Sequence, residues 1–438
     1  MSLLTFKGGI HPYDGKDLTK DCQIEEYLTK EDVCIPLSQH IGAPAEAVVS
    51  PGDFVLVGEL IAKAGGFVSA NIHSPVSGKI KGIEKRKVVN GSKVPCIIIE
   101  NDGNYNEVIY DRPRPLSDLS GEDIIELVKK AGVVGMGGAG FPTHVKLMPK
   151  EPEKIDYIIV NGAECEPYLT SDYRRMLEEP VKLVEGLKCM LKIFPGAKGI
   201  IAVEDNKPDV IRKLTRMVRH EKNIEVKMLL TKYPQGAERM LIYAVTGRKV
   251  NSKMLPADVG CIVDNVDTVC AIYSAVIERR PLISRIVTVT GPGIVYPSNF
   301  LARIGTNQRE LIKAAGGFKG EPEKVISGGP MMGIAMESVD VPLTKTSSAI
   351  LVFNEDPLYD ISKTNCINCG RCLNVCPGGI NPSLLAKICE RNDLDAFVEN
   401  NGMECCECGC CSYICPAKKD LTQAIKTMRK RVMAKRRK

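Results

Sequence analysis

Two runs of cysteines near the carboxyl end of the chain have the spacing of metal-cluster ligands. In each run three cysteines are separated by two residues, a fourth follows after three more residues, and a proline comes next. Three thiolates this close can wrap one face of a four-iron, four-sulfur cube. Structural zinc is the alternative, but its sites need only paired Cys-x-x-Cys knuckles. The repeat therefore predicts iron–sulfur chemistry. The cysteines are Cys366, Cys369, Cys372, Cys376, Cys405, Cys408, Cys411 and Cys415.

The double run resembles that of two-cluster bacterial ferredoxins, in which the fourth cysteine of each run binds the other cluster. We expect that fourth cysteine to lie at the start of the following helix. Cys406 and Cys410 fall out of phase with the ligands, so we expect them to be apolar fillers or weak donors to cluster sulfur. The first predicted [4Fe–4S] set is Cys366, Cys369, Cys372 and Cys415, and the second is Cys405, Cys408, Cys411 and Cys376.

Composition narrows the class of protein further. The 438 residues are 44% hydrophobic and 26% charged, the balance of a globular protein of about three domains. A net charge of +6, no Trp and 5% aromatic residues argue against a nucleic-acid binder. The chain begins without the apolar region of a signal peptide and has no stretch of about 18 apolar residues. We therefore expect a reducing compartment, where clustered thiols bind metals, and no membrane span.

A glycine-rich segment in the first half of the chain could hold an anionic group. From Gly132 to Lys146 it reads Gly-Val-Val-Gly-Met-Gly-Gly-Ala-Gly-Phe-Pro-Thr-His-Val-Lys. Glycines let backbone N–H groups approach a phosphate closely, and a nearby lysine adds positive charge. Glycine strings alone are often simple turns, but the Phe-Pro-Thr continuation and the lysine make this one specific.

This segment resembles the flavin- and NADH-binding loop of the 51-kDa subunit of respiratory complex I and of related hydrogenase diaphorase subunits. Three later segments, 160–167, 233–238 and 263–268, match the same family in the same order. Departures from the family include Ala163 for an aspartate, Ala237 for an acid and Asp264 for an asparagine.

The resemblance implies roles for individual residues. Phe141 would stack on a ring of NADH, while Glu166 and Glu238 would contact its nicotinamide half, and these three are the predicted catalytic residues. For each acid the alternative is an ordinary solvated loop charge. Hydride transfer needs mainly positioning, because the cofactor supplies the reactivity. The predicted flavin- and nucleotide-binding residues are Gly135, Gly137, Gly138, Gly140, Lys146, Asn161, Glu164, Gly236 and Asn265.

The flanking patterns indicate which elements position these motifs. The first 115 residues read as short strands between glycine turns, with a two-residue hairpin turn at Asn90-Gly91. Parts of this region resemble the barrel-sandwich fold of biotinyl and lipoyl carriers, without the lysine tip that would carry a cofactor. After a helix start at Ser120, strands alternate with helices, which predicts a largely parallel sheet.

The whole chain resembles the family of Rnf complex C subunits, from Gly-Gly-Ile-His-Pro at 8–12, through the glycine-rich segment and Gly-Gly-Pro-Met-Met-Gly at 328–333, to the double cysteine run. That family belongs to a membrane-bound ferredoxin:NAD⁺ oxidoreductase coupled to Na⁺ or H⁺ translocation. The resemblance implies hydride exchange between NAD(H) and FMN, with single electrons relayed through two [4Fe–4S] clusters. The implied partners are an iron–sulfur B subunit, membrane flavin subunits and, indirectly, ferredoxin. The implied location is peripheral, at the cytoplasmic face of the cell membrane.

The predicted fold class is multidomain α/β. A barrel-sandwich scaffold spans 1–115, and a Rossmann-like α/β domain that binds FMN and NAD(H) spans 116–280. A soluble-ligand-binding β-grasp unit spans 281–345, a ferredoxin-like α module with two clusters spans 346–425, and a basic tail spans 426–438. The tail has two interpretations, a polybasic stretch resting on anionic lipid or a frayed, solvated terminus.

Two alternative functions remain open from the sequence. The first is the cobalamin reductase of propanediol-using microcompartments, which has a similar flavin loop and cysteine repeat but another electron acceptor. The second is a non-catalytic adaptor, like the A subunit of the Na⁺-pumping NADH:quinone reductase, against which the intact glycines and cysteines argue. NADH oxidation with an artificial acceptor would separate an adaptor from an enzyme.

Overall fold

The computed structural model describes residues 3–356 and 362–437, which form a mixed α/β structure with four sheets. Residues 357–361, in the predicted cluster module, and Lys438, the end of the predicted tail, lie outside the described residues. Within the described ranges, no helix has both the length and the apolar character needed to cross a membrane.

The strands of the described chain, in order, are β1 Ile24–Tyr27, β2 Val33–Pro36, β3 Glu46–Ala47, β4 Phe54–Val55, β5 Leu60–Lys63, β6 Ile72–His73, β7 Gly78–Lys87, β8 Lys93–Asn101, β9 Tyr157–Gly162, β10 Lys198–Glu204, β11 Ile224–Leu229, β12 Cys261–Asn265, β13 Ser284–Thr290, β14 Ser298–Arg303, β15 Lys324–Ser327, β16 Ile334–Ala335 and β17 Ala349–Phe353. The α-helices are α1 Gly121–Lys130, α2 Thr143–Lys146, α3 Ser171–Glu178, α4 Pro180–Ile193, α5 Pro208–Val218, α6 Glu238–Thr246, α7 Val266–Val276, α8 Gln308–Ala314, α9 Arg371–Asn374, α10 Pro382–Glu390, α11 Leu394–Glu399, α12 Cys410–Tyr413 and α13 Leu421–Arg437. Short 3₁₀ helices lie at Lys16–Leu18, Leu116–Asp118, Pro152–Lys154, Pro256–Val259 and Gly402–Glu404.

The amino-terminal region is built from two small antiparallel sheets, in the orders β2-β8-β7-β4 and β3-β5-β6. Their inward side chains, among them Ile35 and Ile97, form one buried core. The predicted two-residue turn at Asn90-Gly91 is wrong in length. The N–H of Val88 donates to the carbonyl of Ser92, so three residues form the loop, with Gly91 in the left-handed region at its end. This is the turn-plus-bulge form of hairpin, which needs glycine at its third position.

The next region contains a parallel sheet in the order β11-β10-β9-β12, as the alternating strands and helices predicted. Because successive side chains point to opposite faces, β9 contributes to two cores. Ile158 and Val160 pack under α1, α4, α5 and α7, while Ile159 packs under α6. The predicted start of α1 is confirmed, since Ser120 and Asp123 form a reciprocal capping box.

A six-stranded mixed sheet follows, in the order β1-β14-β13-β17-β15-β16, with α8 packed on it. Two of its strands come from outside residues 281–345, because β1 pairs in parallel with β14 and β17 pairs in parallel with β13. The amino-terminal segment therefore crosses from the barrel region to complete a distant sheet.

The carboxyl-terminal region after residue 362 is helical in its described residues. Cys376 follows the one-turn helix α9, so the prediction that the fourth cysteine starts a helix is wrong; the third cysteine, Cys372, lies in that helix instead. Residues 426–437 belong to α13, whose buried Ile425, Met428 and Val432 recur every three to four residues. A frayed terminus is therefore the wrong interpretation up to residue 437.

Candidate functional site

The predicted flavin segments meet at the carboxyl ends of the parallel strands. The two strands that follow β9 along the chain, β10 and β11, lie on one side of it in the sheet. The next strand, β12, lies on the other side of β9. Such a reversal of strand order opens a crevice at the strand ends, where ligands of open α/β sheets bind. Asn161 and Asn265 stand directly opposite each other in the register of β9 and β12. The structure thus brings two predicted flavin residues to one point.

The glycine-rich loop lies over this crevice and is closed at its base. The N–H of Gly135 donates to the carbonyl of Phe141 at 2.7 Å, and the tip between them is exposed. Gly137 has a φ of +83°, and a Cβ there would lie 3.2 Å from the Asn265 amide. A Cβ on Gly138 would meet no atom within 4 Å. The loop therefore fits a ligand that needs backbone N–H groups at close range.

Lys146 is held at the edge of the same crevice by an acid. Its Nζ donates to the carbonyl of Val263 at 2.6 Å and to Asp264 Oδ1 at 3.0 Å. Burial lowers the pKa of Lys146, but the charges of Asp264 and Glu238 outweigh that effect and leave the pKa raised. Asp264 is the position at which the sequence departs from the complex I family. This departure gives the lysine a partner within the protein.

The segment after β9 is joined to the segment that precedes α6. The Asn161 amide donates to the carbonyl of Gly236 at 2.9 Å, and the Gly236 N–H donates to Cys165 Sγ at 3.2 Å. A Cβ on Gly236 would lie 3.4 Å from Ala163, Asn161 and Cys165 atoms. The small side chain at 163 therefore fits this close approach. Glu238 begins α6 beside it and is exposed, and Phe141 is half-buried.

Asp172 is a site residue that the sequence interpretation missed. Its backbone N–H donates to Glu164 Oε1 at 2.7 Å, and its Oδ2 accepts from the Asn265 amide at 2.6 Å. Burial, with the charges of Glu164 and Asp267 added, raises the pKa of Asp172 to about 7. Its signal in the sequence, an acid in the first turn of a helix, indicates only a helix start.

Two buried lysines brace the loop that carries the predicted acids, and they were also missed. Lys207 Nζ donates to the carbonyl of Ala163 at 2.8 Å, and Lys16 Nζ donates to the carbonyl of Glu166 at 3.0 Å. Lys16 also lies 3.8 Å from Glu164 Oε2. Buried lysines are rare without such acceptors, because an unpaired buried charge is costly. Their spacing in the sequence gives no signal, since 191 positions separate residues 16 and 207.

Glu166 has one oxygen bound and one free. Its Oε2 accepts from the Met331 N–H at 3.2 Å. Its Oε1 is buried and has no hydrogen-bond partner among the residues that the structure describes. Burial raises the pKa of Glu166 to about 7, against the opposing effect of the Met331 and Met332 N–H groups. A buried carboxylate oxygen without a donor fits a ligand that supplies one.

A pocket brings together cysteines from both runs. Cys376 of the first run lies beside Cys405, Cys408 and Cys411 of the second run, which is the second predicted ligand set. Burial raises the pKa of the Cys405 and Cys411 thiols to about 11. Among the described residues, no three His, Cys, Asp or Glu side chains converge closely enough to hold a single metal ion. Cys406 and Cys410 also line the pocket, which therefore holds six cysteines. A largely apolar pocket this rich in thiols fits a larger inorganic cluster.

The first predicted set lies at the surface. Cys366 and Cys369 are exposed, and Cys372 and Cys415 are half-buried. The segments on which the set depends run side by side, because the Thr364 N–H donates to the carbonyl of Ala417 at 3.3 Å. The structure thus brings Cys366 and Cys415 into neighbouring segments, next to solvent.

The second cysteine run packs against the predicted flavin segments at the end of the parallel sheet. Tyr233, three residues before Gly236, is fully buried and donates from its hydroxyl to the carbonyl of Cys408 at 2.8 Å. Ile10, Tyr233, Cys408 and Cys410 form a buried cluster against which Cys165 packs. Nearby, Glu404 accepts from Arg239 at 3.1 Å and from the Ser252 N–H at 2.8 Å. The predicted flavin segments and the buried cysteines therefore share an interface.

Three family models match successive parts of the chain. The RnfC barrel sandwich hybrid domain matches residues 4–104, the Nuo51 FMN-binding domain matches 128–274, and the SLBB domain matches 286–335. The first covers the two small sheets, the second the crevice with its glycine-rich loop, and the third most of the six-stranded sheet.

Curated relatives match over nearly the full length. The C subunit of the proton-translocating ferredoxin:NAD(+) oxidoreductase complex of Clostridium ljungdahlii is 46% identical over 98% of this chain and 94% of its own length. The C subunit of the Na(+)-translocating ferredoxin:NAD(+) oxidoreductase complex of Acetobacterium woodii is 44% identical over 99% of this chain and 98% of its own. The names of these two relatives differ in the ion that is translocated.

A solved structure shares the fold. An NAD⁺-reducing [NiFe]-hydrogenase in its H₂-reduced state matches with a TM-score of 0.51 and 17% identity, over 73% of this chain and 62% of the hydrogenase chain. At this identity the likeness concerns the fold alone.

Proposed function

The chain belongs to the family of Rnf complex C subunits, oxidoreductase subunits of ion-translocating ferredoxin:NAD⁺ complexes, and on this premise we propose how its residues perform electron transfer. The resemblance inferred from the sequence is thereby confirmed. FMN binds in the crevice at the ends of β9 and β12, and NAD(H) binds beside it. Two [4Fe–4S] clusters lie in the cysteine runs. FMN, when bound, exchanges an electron pair with NAD(H) and single electrons with the clusters.

The flavin-binding residues of this proposal surround one crevice. The phosphate and nucleotide lie against the glycine-rich loop, whose exposed tip has open space above Gly138. Lys146 acts together with Asp264, so the pair contributes less net charge than a free lysine would. The residues beside the flavin are Asn161, Glu164, Gly236 and Asn265. The parallel sheet that carries them, with its flanking helices, forms a Rossmann-like domain. Lys16 and Lys207 hold the loop after β9, which carries Glu164 and Glu166, by donating to its backbone carbonyls.

NAD(H) lies on the side of Glu166, Glu238 and Phe141. The free Oε1 of Glu166 accepts a hydrogen bond from an amide or hydroxyl group of the dinucleotide. Phe141 is half-buried, so it has a face to stack on a ring, and the exposed Glu238 lies at the amino end of α6. These side chains bind and orient the dinucleotide.

One observation supports the proposed electron transfer between the flavin and the clusters. It is the hydrogen bond from the Tyr233 hydroxyl to the carbonyl of Cys408. Tyr233 lies three residues before Gly236, so this contact joins the flavin crevice to the second cysteine run. The cluster on Cys376, Cys405, Cys408 and Cys411 is therefore next to the flavin. The cluster on Cys366, Cys369, Cys372 and Cys415 lies at the surface, where a partner can exchange single electrons with it.

The partners of this surface cluster are other Rnf subunits, including an iron–sulfur B subunit and membrane flavin subunits, with ferredoxin acting through them. The chain binds peripherally at the cytoplasmic face of the membrane. The domain boundaries inferred from the sequence remain part of this proposal. The sheet of the β-grasp unit near 281–345 extends beyond them, because β1 and β17 add strands to it.

Cofactor content and NADH oxidation test this function together. Purified, cofactor-loaded protein should contain one flavin and roughly eight irons with matching acid-labile sulfide, as expected for two four-iron cubes. It should oxidise NADH with an artificial acceptor. Zinc in place of iron, or no NADH oxidation by flavin-loaded protein, would contradict the proposal; the second result would identify an adaptor.

A further inference from the structure

Residues 328–333, Gly-Gly-Pro-Met-Met-Gly, have no role in the function proposed above. They connect β15 to β16 in the six-stranded sheet and are called the sheet loop here. The Gly328 N–H ties the start of the loop to the carbonyl of Ala349 at 2.8 Å. The Gly333 N–H closes the loop on itself by donating to the carbonyl of Gly329 at 2.9 Å. These bonds fix the course of the loop between the two strands.

On one side the sheet loop holds the Glu166 carboxylate. The Met331 N–H donates to Glu166 Oε2 at 3.2 Å. A Cβ on Gly329 would overlap that same oxygen, so only glycine lets the loop approach this closely. The other oxygen, Oε1, is buried and has no partner among the described residues. The loop therefore fixes one carboxylate oxygen and leaves the second for a ligand.

On the other side the sheet loop touches the second cysteine run. Met331 Cε lies 3.2 Å, and its carbonyl oxygen 3.5 Å, from the position that a Cβ on Gly409 would take. Gly409 has a φ of +83° and lies between Cys408 and Cys410. Met331 also packs against the group of buried side chains formed by Ile10, Tyr233, Cys408 and Cys410. Met331 thus contacts both the Glu166 carboxylate and the loop of the second cysteine run, which would hold the buried iron–sulfur cluster.

We propose that the sheet loop is a positioning element, which fixes the Glu166 carboxylate for NAD(H) and ties its place to the loop of the buried cluster. The proposal rests on the function proposed above, because the contact of Glu166 with NAD(H) is part of that function. Gly329 and Met331 act through Glu166, which both of them contact. The six-stranded sheet therefore takes part in nucleotide binding without lying in the crevice.

The first test is Gly329→Ala in the cofactor-loaded protein. The added methyl group must displace the Glu166 carboxylate, so we expect the KM for NADH and the Kd for NAD⁺ to rise by roughly tenfold, the loss of about one good hydrogen bond. We expect kcat to change less. Flavin and iron content should stay at the wild-type values, because Gly329 is not among the residues assigned to either cofactor. Calorimetric titration with NAD⁺ gives the Kd without turnover.

A second substitution separates positioning from general damage. Glu166→Asp shortens the side chain by one methylene and leaves room for the alanine at 329. We expect the double variant, Gly329→Ala with Glu166→Asp, to bind NAD⁺ more tightly than the product of the two single losses predicts. Sites in contact show such non-additivity, whereas independent damage adds.

Met331 and Met332 form a matched pair for the other contact. Met331→Ala keeps the N–H that binds Glu166 but removes the side chain beside Gly409, so we expect a changed EPR spectrum of the buried cluster. Met332 is 55% exposed, and Met332→Ala should leave that spectrum unchanged.

A wild-type KM and Kd in Gly329→Ala, or additive losses in the double variant, would overturn this inference. If the wild-type protein oxidised NADH at the same time, the proposed function would stand. If flavin-loaded wild-type protein did not oxidise NADH, both would fall.

Discussion

The two cysteine runs have the same spacing but lie in opposite surroundings. In the second run Cys408 and Cys411 are each 8% exposed, and Tyr233 of the flavin region packs on the run. In the first run Cys366 and Cys369 are exposed. The spacing of the cysteines in the sequence predicts that each run can hold a cluster. The packing of each run in the fold determines which groups that cluster can exchange electrons with. Under the proposed function, the buried run serves the flavin side of the relay and the exposed run serves the partner side.

The largest expected difference between the runs comes from removing one ligand in each. Cys408→Ser should remove the buried cluster and stop electron flow from NADH to the remaining cluster, while NADH oxidation by an acceptor that reacts at the flavin continues. Cys369→Ser should remove the exposed cluster, with loss of roughly half of the iron, and leave exchange between NADH and the buried cluster intact. EPR after NADH addition and iron analysis measure both effects.

Equal effects of the two substitutions on exchange with NADH would contradict this assignment of near and far clusters. Cys389→Ser is the control, because Cys389 lies within α10, outside both runs, and packs beside the helical core.

The second prediction concerns the contact that joins the two regions. Tyr233→Phe leaves the carbonyl of Cys408 buried without its hydroxyl donor, which costs about 1–3 kcal/mol. We expect the melting temperature of the loaded protein to fall by several degrees. Calorimetry or circular dichroism measures this change. Tyr243→Phe is the matched control, since Tyr243 is 39% exposed and should change stability little. A Tyr233→Phe variant as stable as this control would show that the contact contributes nothing.

The third prediction concerns Glu166, whose carboxylate is buried against the sheet loop. Its pKa of about 7 means that the carboxylate forms as pH rises through 7. The ionised form accepts hydrogen bonds more strongly than the neutral acid. We therefore expect kcat/KM for NADH to rise by roughly tenfold between pH 6 and 8, equivalent to about 1.4 kcal/mol. Glu166→Gln should flatten this rise in steady-state assays, and a profile unchanged in the variant would assign the titration to another group.

The smallest expected effect is on stability at Asp172. A carboxyl whose folded pKa is raised binds its proton more tightly in the folded state, so its contribution to stability falls as pH rises from about 4, the unfolded value, to about 7. Asp172→Asn removes this loss and can still accept from Asn265. The variant should therefore gain a few degrees in melting temperature relative to wild type between pH 5 and pH 8. A difference that stays constant over this range would refute the shift.

Local signals in the sequence predicted much of the fold. The capping box at Ser120 and the alternation from β9 to β12 depend on neighbouring residues, and they are present where expected. The pairing of β1 with β14 was not predictable, because about 270 residues of chain separate the strands. The helix α13 was missed because its apolar positions, such as Met428 and Val432, are scattered among lysines and arginines.

The candidate site shows the same division. Its motifs were visible as short segments, and the structure brings Asn161, Gly236 and Asn265 to one crevice. The groups that hold these segments in place, such as Lys16 and Asp172, come from elsewhere in the chain and have no motif. Their roles depend on burial and on partners distant in sequence, which a spacing pattern does not encode.

The central claim is that electrons pass between the flavin crevice and the buried run within this one chain. The most direct measurement is to reduce the loaded protein chemically, remove the reductant, add NAD⁺ and follow the EPR signals of the reduced clusters. We predict that the signals disappear in the wild type, that the buried cluster's signal disappears in Cys369→Ser, and that the remaining signal persists in Cys408→Ser. Formation of NADH while the wild-type cluster signals persist would contradict the claim.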